Sequence, residues 1–406
     1  MKVRSKITRR NFIQKGAAMT TSPLILNYIH PSSPQKINRV LNIGVIGLGG
    51  RGQGAHISTL LKFPDVKIAA ICDIKEERIK ETLEKAGSHH PKVYRNYQDL
   101  LQQKDLDCVF VSTPPDRHKV MVCDALHAGL SVYVDKPMCI TVTDCNAIGR
   151  AVENAKGVFI VGHQLRYNPS LRKEIEAIHN DVIGKVALVD YKIFRGPGRG
   201  PDMSPLTEAP DNQWILSIEE GGDIILEQGI HWIDVINWIM GTHPIRAVGL
   251  GGQGVLFDEV YDKETMDHYA VLYEYPDNRR AFFSHSWMSM PGSDPNAQTV
   301  HGTRGALDLG TGKIFMRGPK EEPKTVDGSE AKGDMDYLCV QEFLECHRTG
   351  RKKPFNDFEV GNMAALFALL GRKAIYEQRT VTWEELLREG APLQRVDQYS
   401  GRVSSS

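Results

Sequence analysis

From Asn42 the chain alternates two textures: short apolar runs rich in β-branched residues, and stretches in which apolar residues recur every three or four positions. The first kind suits a pleated surface and the second lines one face of a helix, so the alternation predicts βαβ units and a parallel sheet. Asn42–Ile46, Val66–Cys72, Cys108–Ser112, Ser131–Val134 and Val158–Gly162 read as strands. His56–Phe63, Glu76–Ala86, His118–Ala128 and Thr143–Ala155 read as the helices between them. After about Asn180 the period shortens to two, in Val186–Phe194, Ala247–Leu250, Asp267–Glu274 and Arg280–Trp287, with Gly, Pro and Asp turns between. This predicts an open, mostly antiparallel sheet. Helical periodicity returns over Asp334–His347 and Glu359–Glu377. The expected fold class is α/β: a parallel, doubly wound domain over residues 38–160, then an α+β domain over residues 161–395 onto which the helices at 334–390 pack back.

The first strand runs into Gly47-Leu48-Gly49-Gly50-Arg51-Gly52 and then a helix. A G-x-G-x-x-G between strand and helix is the context in which the motif marks a Rossmann dinucleotide site. Gly47 permits the tight turn, Gly49 lets the backbone approach a pyrophosphate, and Gly52 lets the helix pack on the strand. Asp73 ends the second strand about 20 residues later, where a carboxylate grips the ribose hydroxyls and repels a 2′-phosphate. The expected cofactor is NAD rather than NADP, with Lys75 nearby softening the preference.

Composition narrows the partners. Of the 406 residues, 41% are hydrophobic and 25% charged, and the formal net charge is zero, which offers no general attraction for nucleic acid or an anionic membrane. The seven cysteines (Cys72, Cys108, Cys123, Cys139, Cys145, Cys339 and Cys346) contain no C-x-x-C pair and read as buried thiols rather than a disulfide framework or zinc site. Lys2, Arg4, Lys6, Arg9 and Arg10 precede an apolar stretch, Gly16 to Tyr28, shorter than the roughly 20 residues of a membrane span. Thr8-Arg9-Arg10-Asn11-Phe12-Ile13-Gln14-Lys15 resembles a twin-arginine export signal. Residues 1–36 are therefore expected to be a signal and linker, the mature chain to lack a membrane span, and the protein to be periplasmic.

Further motifs follow: Ser112-Thr113-Pro114-Pro115-Asp116-Arg117-His118, Val134-Asp135-Lys136-Pro137, Gly162-His163-Gln164-Leu165-Arg166-Tyr167-Asn168-Pro169, and Glu227-Gln228-Gly229-Ile230-His231-Trp232-Ile233-Asp234. With the glycine loop they resemble the glucose–fructose oxidoreductase, inositol dehydrogenase and rhizopine-catabolism family, Gfo/Idh/MocA, from Asn42 to about Trp383. The family's Glu-Lys-Pro is Asp135-Lys136-Pro137 here, and its Asp four residues before the histidine is Glu227. The resemblance implies a sugar, polyol or glycoside substrate, and a homo-oligomer, dimer or tetramer, formed through the second sheet. It implies Lys136, His231 and Glu227 as the catalytic group. Beyond the glycine loop and Asp73, the expected cofactor contacts are Thr113, Pro114, His118, Asp135, Lys136 and His163. His118 and His163 have the alternative of ordinary satisfied histidines. Arg166, Tyr167, Arg195 and Trp214 are candidate walls of a substrate pocket shared with Glu227 and His231, and a purely structural use is the alternative for these four.

Taken as one helix, Gly222–Met240 would place Glu227, His231, Asp234 and Trp238 on one stripe opposite Ile225, Trp232, Ile233, Ile236, Ile239 and Met240. That stripe reads equally as a site or as a solvated polar face, and a metal pair lacks a third ligand with suitable spacing. If it is a site, His231 would take the hydroxyl proton during oxidation, Lys136 would stabilise the oxygen, and Glu227 would orient His231 or the sugar. Export in the folded state suits a chain that carries tightly held NAD(H) and recycles it between two substrates. An NAD-dependent glycoside hydrolase using transient oxidation, and a non-catalytic sugar-binding relative, remain as alternatives.

Overall fold

A computed structural model describes residues 39–194, 210–253, 264–287, 296–319, 322–351 and 353–388. The expected signal and linker at residues 1–36, and Arg195, lie outside the described residues. The first sheet starts with β1 (Leu41–Ile46), followed by α1 (Gly50–Ile57), which is wound wider than an α-helix and runs on into Ser58–Leu60. Then come β2 (Val66–Cys72), α2 (Glu76–Ala86), β3 (Lys92–Tyr94), β4 (Cys108–Val111), α3 (His118–His127), β5 (Ser131–Val134), α4 (Val142–Asn154) and β6 (Phe159–Val161). The strands lie in the order β3-β2-β1-β4-β5-β6, all parallel. This is the doubly wound sheet expected, and the order reverses between β1 and β4, where such sheets bind ligands beyond their carboxyl ends.

Every residue of β4 and β5 is buried because both faces are covered. Val109, Val111, Val132 and Val134 meet α3 and α4, while Phe110 and Tyr133 turn to the other face. That face is closed from far along the chain: Phe343 packs edge-on against both rings, with centroids 5.5 and 5.9 Å away.

The chain continues through α5 (Pro169–His179), β7 (Val186–Phe194), α6 (Ile230–Met240), β8 (Arg246–Gly252), β9 (His268–Glu274) and β10 (Arg280–Ser286). β11 (Ala297–Gly302), β12 (Gly305–Asp308), β13 (Lys313–Met316) and β14 (Lys324–Thr325) precede α7 (Met335–Thr349), α8 (Phe358–Glu377) and β15 (Val381–Thr382). The second sheet has the order β14-β13-β12-β11-β7-β10-β9-β8-β15, antiparallel throughout except for the parallel pair β7 and β10. Tyr269, Val271, Tyr273, Ala281 and Phe283 form its buried inner face, on the period-two spacing.

α8 joins the two sheets. Gly361 abuts Val161 of β6, where an added Cβ would lie 2.5 Å from a valine methyl, and Gly371 abuts the Tyr273 hydroxyl of β9. Its buried Arg372 donates to the carbonyls of Ile140 and Gly222, at 3.1 and 2.8 Å. α7 carries Phe343, so both C-terminal helices contact the first sheet's domain.

The expected single helix over 222–240 is broken. A short helix, Ile224–Glu227, ends at Gln228, and α6 begins after Gly229. The Tyr269 hydroxyl and the Ile225 carbonyl crowd Gly229, 2.3 and 2.7 Å from where a Cβ would be. Nor is the polar stripe solvated, because Glu227 and Asp234 are both buried.

Candidate active site

The glycine loop divides its labour. Gly47 has φ +87°, and a Cβ there would strike the Ser112 carbonyl at 2.7 Å. At Gly52 a Cβ would lie 1.9 Å from the Gly47 oxygen, so helix and turn touch backbone to backbone. Gly49 and Gly50 are different. A Cβ at Gly49 meets only the Arg78 guanidinium at 3.7 Å, and one at Gly50 meets nothing within 4 Å. Bare backbone facing open space is the cradle a pyrophosphate needs, so the loop fits a dinucleotide.

Asp73 closes this end. Its carboxylate accepts from the Leu48 amide at 2.7 Å and the Lys75 amide at 2.8 Å, with Arg78 at 3.9 Å. It braces the loop as well as standing where a ribose would lie. The Leu48 side chain is in the core. Gly52→Ala is expected to weaken NAD binding by about 5- to 150-fold, because relieving such a clash costs roughly 1–3 kcal/mol. Fluorescence titration with NAD measures this, and unchanged affinity would show the contact to be dispensable.

Three residues expected at the cofactor, Arg51, Asp135 and His118, bond to other parts of the fold. The Arg51 guanidinium spans Asp135 at 3.2 Å and Asp336 of α7 at 2.9 Å, and His56 holds the other Asp135 oxygen at 2.8 Å. Burial raises the Asp135 pKa, but Arg51 and His56 outweigh it and hold the carboxyl far below the usual range. Arg51 and Asp135 therefore fasten α1, β5 and α7 together. His118, wholly buried, lies between the carbonyls of Thr113 at 2.8 Å and Pro137 at 2.9 Å, and burial lowers its pKa. It braces the Thr113-Pro114 turn against the Lys136 turn, in which Lys136-Pro137 is cis.

Lys136, at the end of β5, reaches into the second domain. Its ammonium donates to Glu227 Oε1 at 2.8 Å and to the Glu227 backbone carbonyl, with both side chains 8% exposed. Gln228 donates to the other Glu227 oxygen. Glu227 is delivered by Gly222 and Asp223, both at φ +81°. Asp223 caps the short helix through the Ile225 amide and accepts from Met266 and Tyr376. His231 follows in the first turn of α6, its ring edge-on to Trp232. Among the described residues no group of three or more His, Cys, Asp or Glu side chains is placed to hold a metal ion.

His163, just past β6, is 1% exposed, and neither ring nitrogen has a hydrogen-bond partner among the described residues. Its backbone carbonyl is held by Asn356 at 2.8 Å. Burial pushes its pKa down to about 4, with Asp234 opposing and Arg166 and Lys136 adding. A buried imidazole with both nitrogens unused beside Lys136 is a further feature that fits a nicotinamide or a substrate hydroxyl. The folded pKa lies below the unfolded value near 6.5, so the unfolded chain binds the proton more readily. Stability from this group is complete above about pH 6.5 and drains away toward pH 4, by at most roughly 3 kcal/mol. Denaturant melts across that window should slope less in His163→Phe than in the parent. Equal slopes would show that His163 is not buried neutral.

The expected substrate walls are largely spoken for. Arg166 pairs with Asp234 through Nε and Nη2, at 2.7 and 2.9 Å, and lies over the rings of Trp238 and Phe355. The Tyr167 hydroxyl donates to Glu342 of α7. Both are buried, and these polar atoms join other elements of the fold, as in the structural alternative. Trp214 is half-buried against the core, and its carbonyl accepts from Ser217. Not foreseen from the sequence are Arg78, His56, Asp336, Asp223, Asn356 and Gln228. Only Arg78 carried a local signal, as a cation in the first turn of the helix that follows Asp73.

Two family profiles match the chain. Residues 41–163 match one described as "Oxidoreductase family, NAD-binding Rossmann fold", and residues 172–308 match the "GFO/IDH/MocA C-terminal domain". Together they span more than half of the sequence, and the chain belongs to the Gfo/Idh/MocA oxidoreductases, with NAD as cofactor. It is 26% identical to myo-inositol 2-dehydrogenase of Thermotoga maritima over 361 residues, 86% of this chain and all of that one. Among solved structures it resembles the WlbA dehydrogenase of Chromobacterium violaceum in complex with NADH and UDP-GlcNAcA. The TM-score is 0.74 and the identity 18%, over 90% of this chain and 100% of that one. The aldose–aldose oxidoreductase of Caulobacter crescentus gives a TM-score of 0.69 at 20% identity, over 85% and 100%. These two likenesses establish the fold.

Proposed function

We propose that this chain oxidises a secondary hydroxyl of a sugar, polyol or glycoside, using NAD that it holds tightly and recycles in place. The observation that carries the reading is the buried contact between Lys136 of the NAD-binding domain and Glu227, four residues before His231, in the second domain. NAD+ supplies the hydride acceptor when bound. The glycine loop and Asp73 hold it, and the chain's other groups handle the proton and the charge. His231 accepts the hydroxyl proton as a positioned general base. Lys136 donates to the same oxygen and stabilises the negative charge that develops on it. Glu227 fixes the ammonium that performs this stabilisation.

The inositol dehydrogenase relative supports a polyol or sugar as substrate. Thr8 to Lys15 supports export to the periplasm by the twin-arginine route, which carries folded chains and so suits a retained cofactor. Retention also implies a second, carbonyl substrate that restores NAD+ on the spot. The outer face of the second sheet bears Val248, Leu250 and Phe282, 41%, 66% and 42% exposed, which supports a homo-oligomer formed there. The test is mass spectrometry of the purified, denatured protein. Stoichiometric NAD or NADH is expected, and an empty protein with weak NAD affinity would overturn the retained-cofactor reading.

A further inference from the structure

Three residues beyond Lys136, the Cys139 thiol lies 3.0 Å from that of Cys145, and both residues are 1% exposed. Unbonded sulfurs rarely come so near, and a disulfide needs about 2.05 Å. The neighbouring backbone holds the two together. His118 meets the Pro137 carbonyl, Arg372 donates to the Ile140 carbonyl, and Thr141 caps α4 by accepting from the Asp144 amide. Cys145 sits in the first turn of that helix, its amide bonded to the Thr141 carbonyl. Cys139 is thereby pinned against the helix start with its sulfur facing its partner. Neither thiol has a part in binding or catalysis as described above.

We infer that Cys139 and Cys145 are a latent disulfide, which closes under oxidising conditions and ties the Lys136 turn to the first turn of α4. The oxidant is a low-molecular-weight disulfide or an oxidised dithiol protein. One cysteine thiolate attacks its S–S bond and expels one thiol. The second cysteine thiolate then attacks the mixed disulfide, expelling the other thiol and forming the Sγ–Sγ bond. Two protons and two electrons leave the cysteines, and the oxidant is reduced to two thiols. Burial, with the Cys145 thiol alongside, pushes the Cys139 pKa up, so exchange in the folded chain is slow and the closed bond resists reduction. All seven cysteines are free thiols in the structure, six of them buried, as the sequence suggests, and the inference concerns this one pair. The compartment suggested by Arg9-Arg10 is one in which such pairs persist.

The full chain is treated in two ways, folded with oxidised glutathione and refolded from denaturant in a glutathione redox buffer, so that burial does not bar the reaction in the second arm. Each sample is quenched in acid, denatured, alkylated, digested and mapped by mass spectrometry. A Cys139–Cys145 link with the other five cysteines alkylated is expected, at least after refolding. The oxidised protein should also melt at a higher temperature than the reduced one, with no such shift in Cys145→Ser. Seven alkylated cysteines in both arms, or a different pairing, would overturn the inference.

Discussion

His231→Ala is expected to lower turnover on a responsive polyol by about two to four orders of magnitude, the usual worth of a positioned general base. This equals about 3–5 kcal/mol of barrier. NAD affinity should not change, because His231 belongs to α6 of the second domain while the glycine loop and Asp73 belong to the first. The measurement is steady-state turnover beside a fluorescence titration of NAD. Unchanged turnover would remove His231 from the chemistry. A parallel loss of NAD binding would mean that the variant disturbs the fold, which is checked by its melting temperature.

The second large effect falls on both stability and activity. In Lys136→Met the Glu227 carboxylate keeps its burial and loses its cation, and breaking a buried pair from one side costs about 3–5 kcal/mol. Lys136→Met/Glu227→Gln removes the stranded charge and should recover most of that loss in denaturant melts. Turnover should remain low in both variants, because neither has an ammonium to stabilise the developing oxyanion. If the double variant regains turnover along with stability, the lysine is only a structural partner of Glu227. If Lys136→Met is as stable as the parent, the two side chains do not pair in solution.

The first sheet was largely legible in the sequence because its signals are local. β2 and α2 fall on their expected bounds, and the G-x-G-x-x-G loop needs only its own strand, turn and helix. β3 escaped because it has three residues, two of them exposed, and so offers no periodicity. β11 to β15 are two to six residues long and partly exposed, and were unreadable for the same reason. The broken helix at Gln228 and Gly229 was hidden more deeply. Its apolar positions keep helical spacing, and the crowding that admits only a glycine at 229 comes from Tyr269, some forty residues onward.

The site shows the same division. Lys136, Glu227 and His231 stand out by motif, yet the contact between Lys136 and Glu227 does not, since it joins two domains through the turn at Gly222 and Asp223. Arg166 and Tyr167 look like ligand donors in a linear sequence. In the fold they are claimed by Asp234 and Glu342, and no local pattern around either residue announces those acceptors.

Oxidation of a carbohydrate hydroxyl with NAD is checked by incubating the purified protein with a panel of sugars, polyols and glycosides and following both nicotinamide absorbance and product mass. The prediction is a keto product two hydrogen atoms lighter than its substrate, formed by the parent with reduction of bound NAD and not by His231→Ala. Release of an aglycone by hydrolysis with no net carbonyl product, or no change in any substrate with NAD bound, would contradict it.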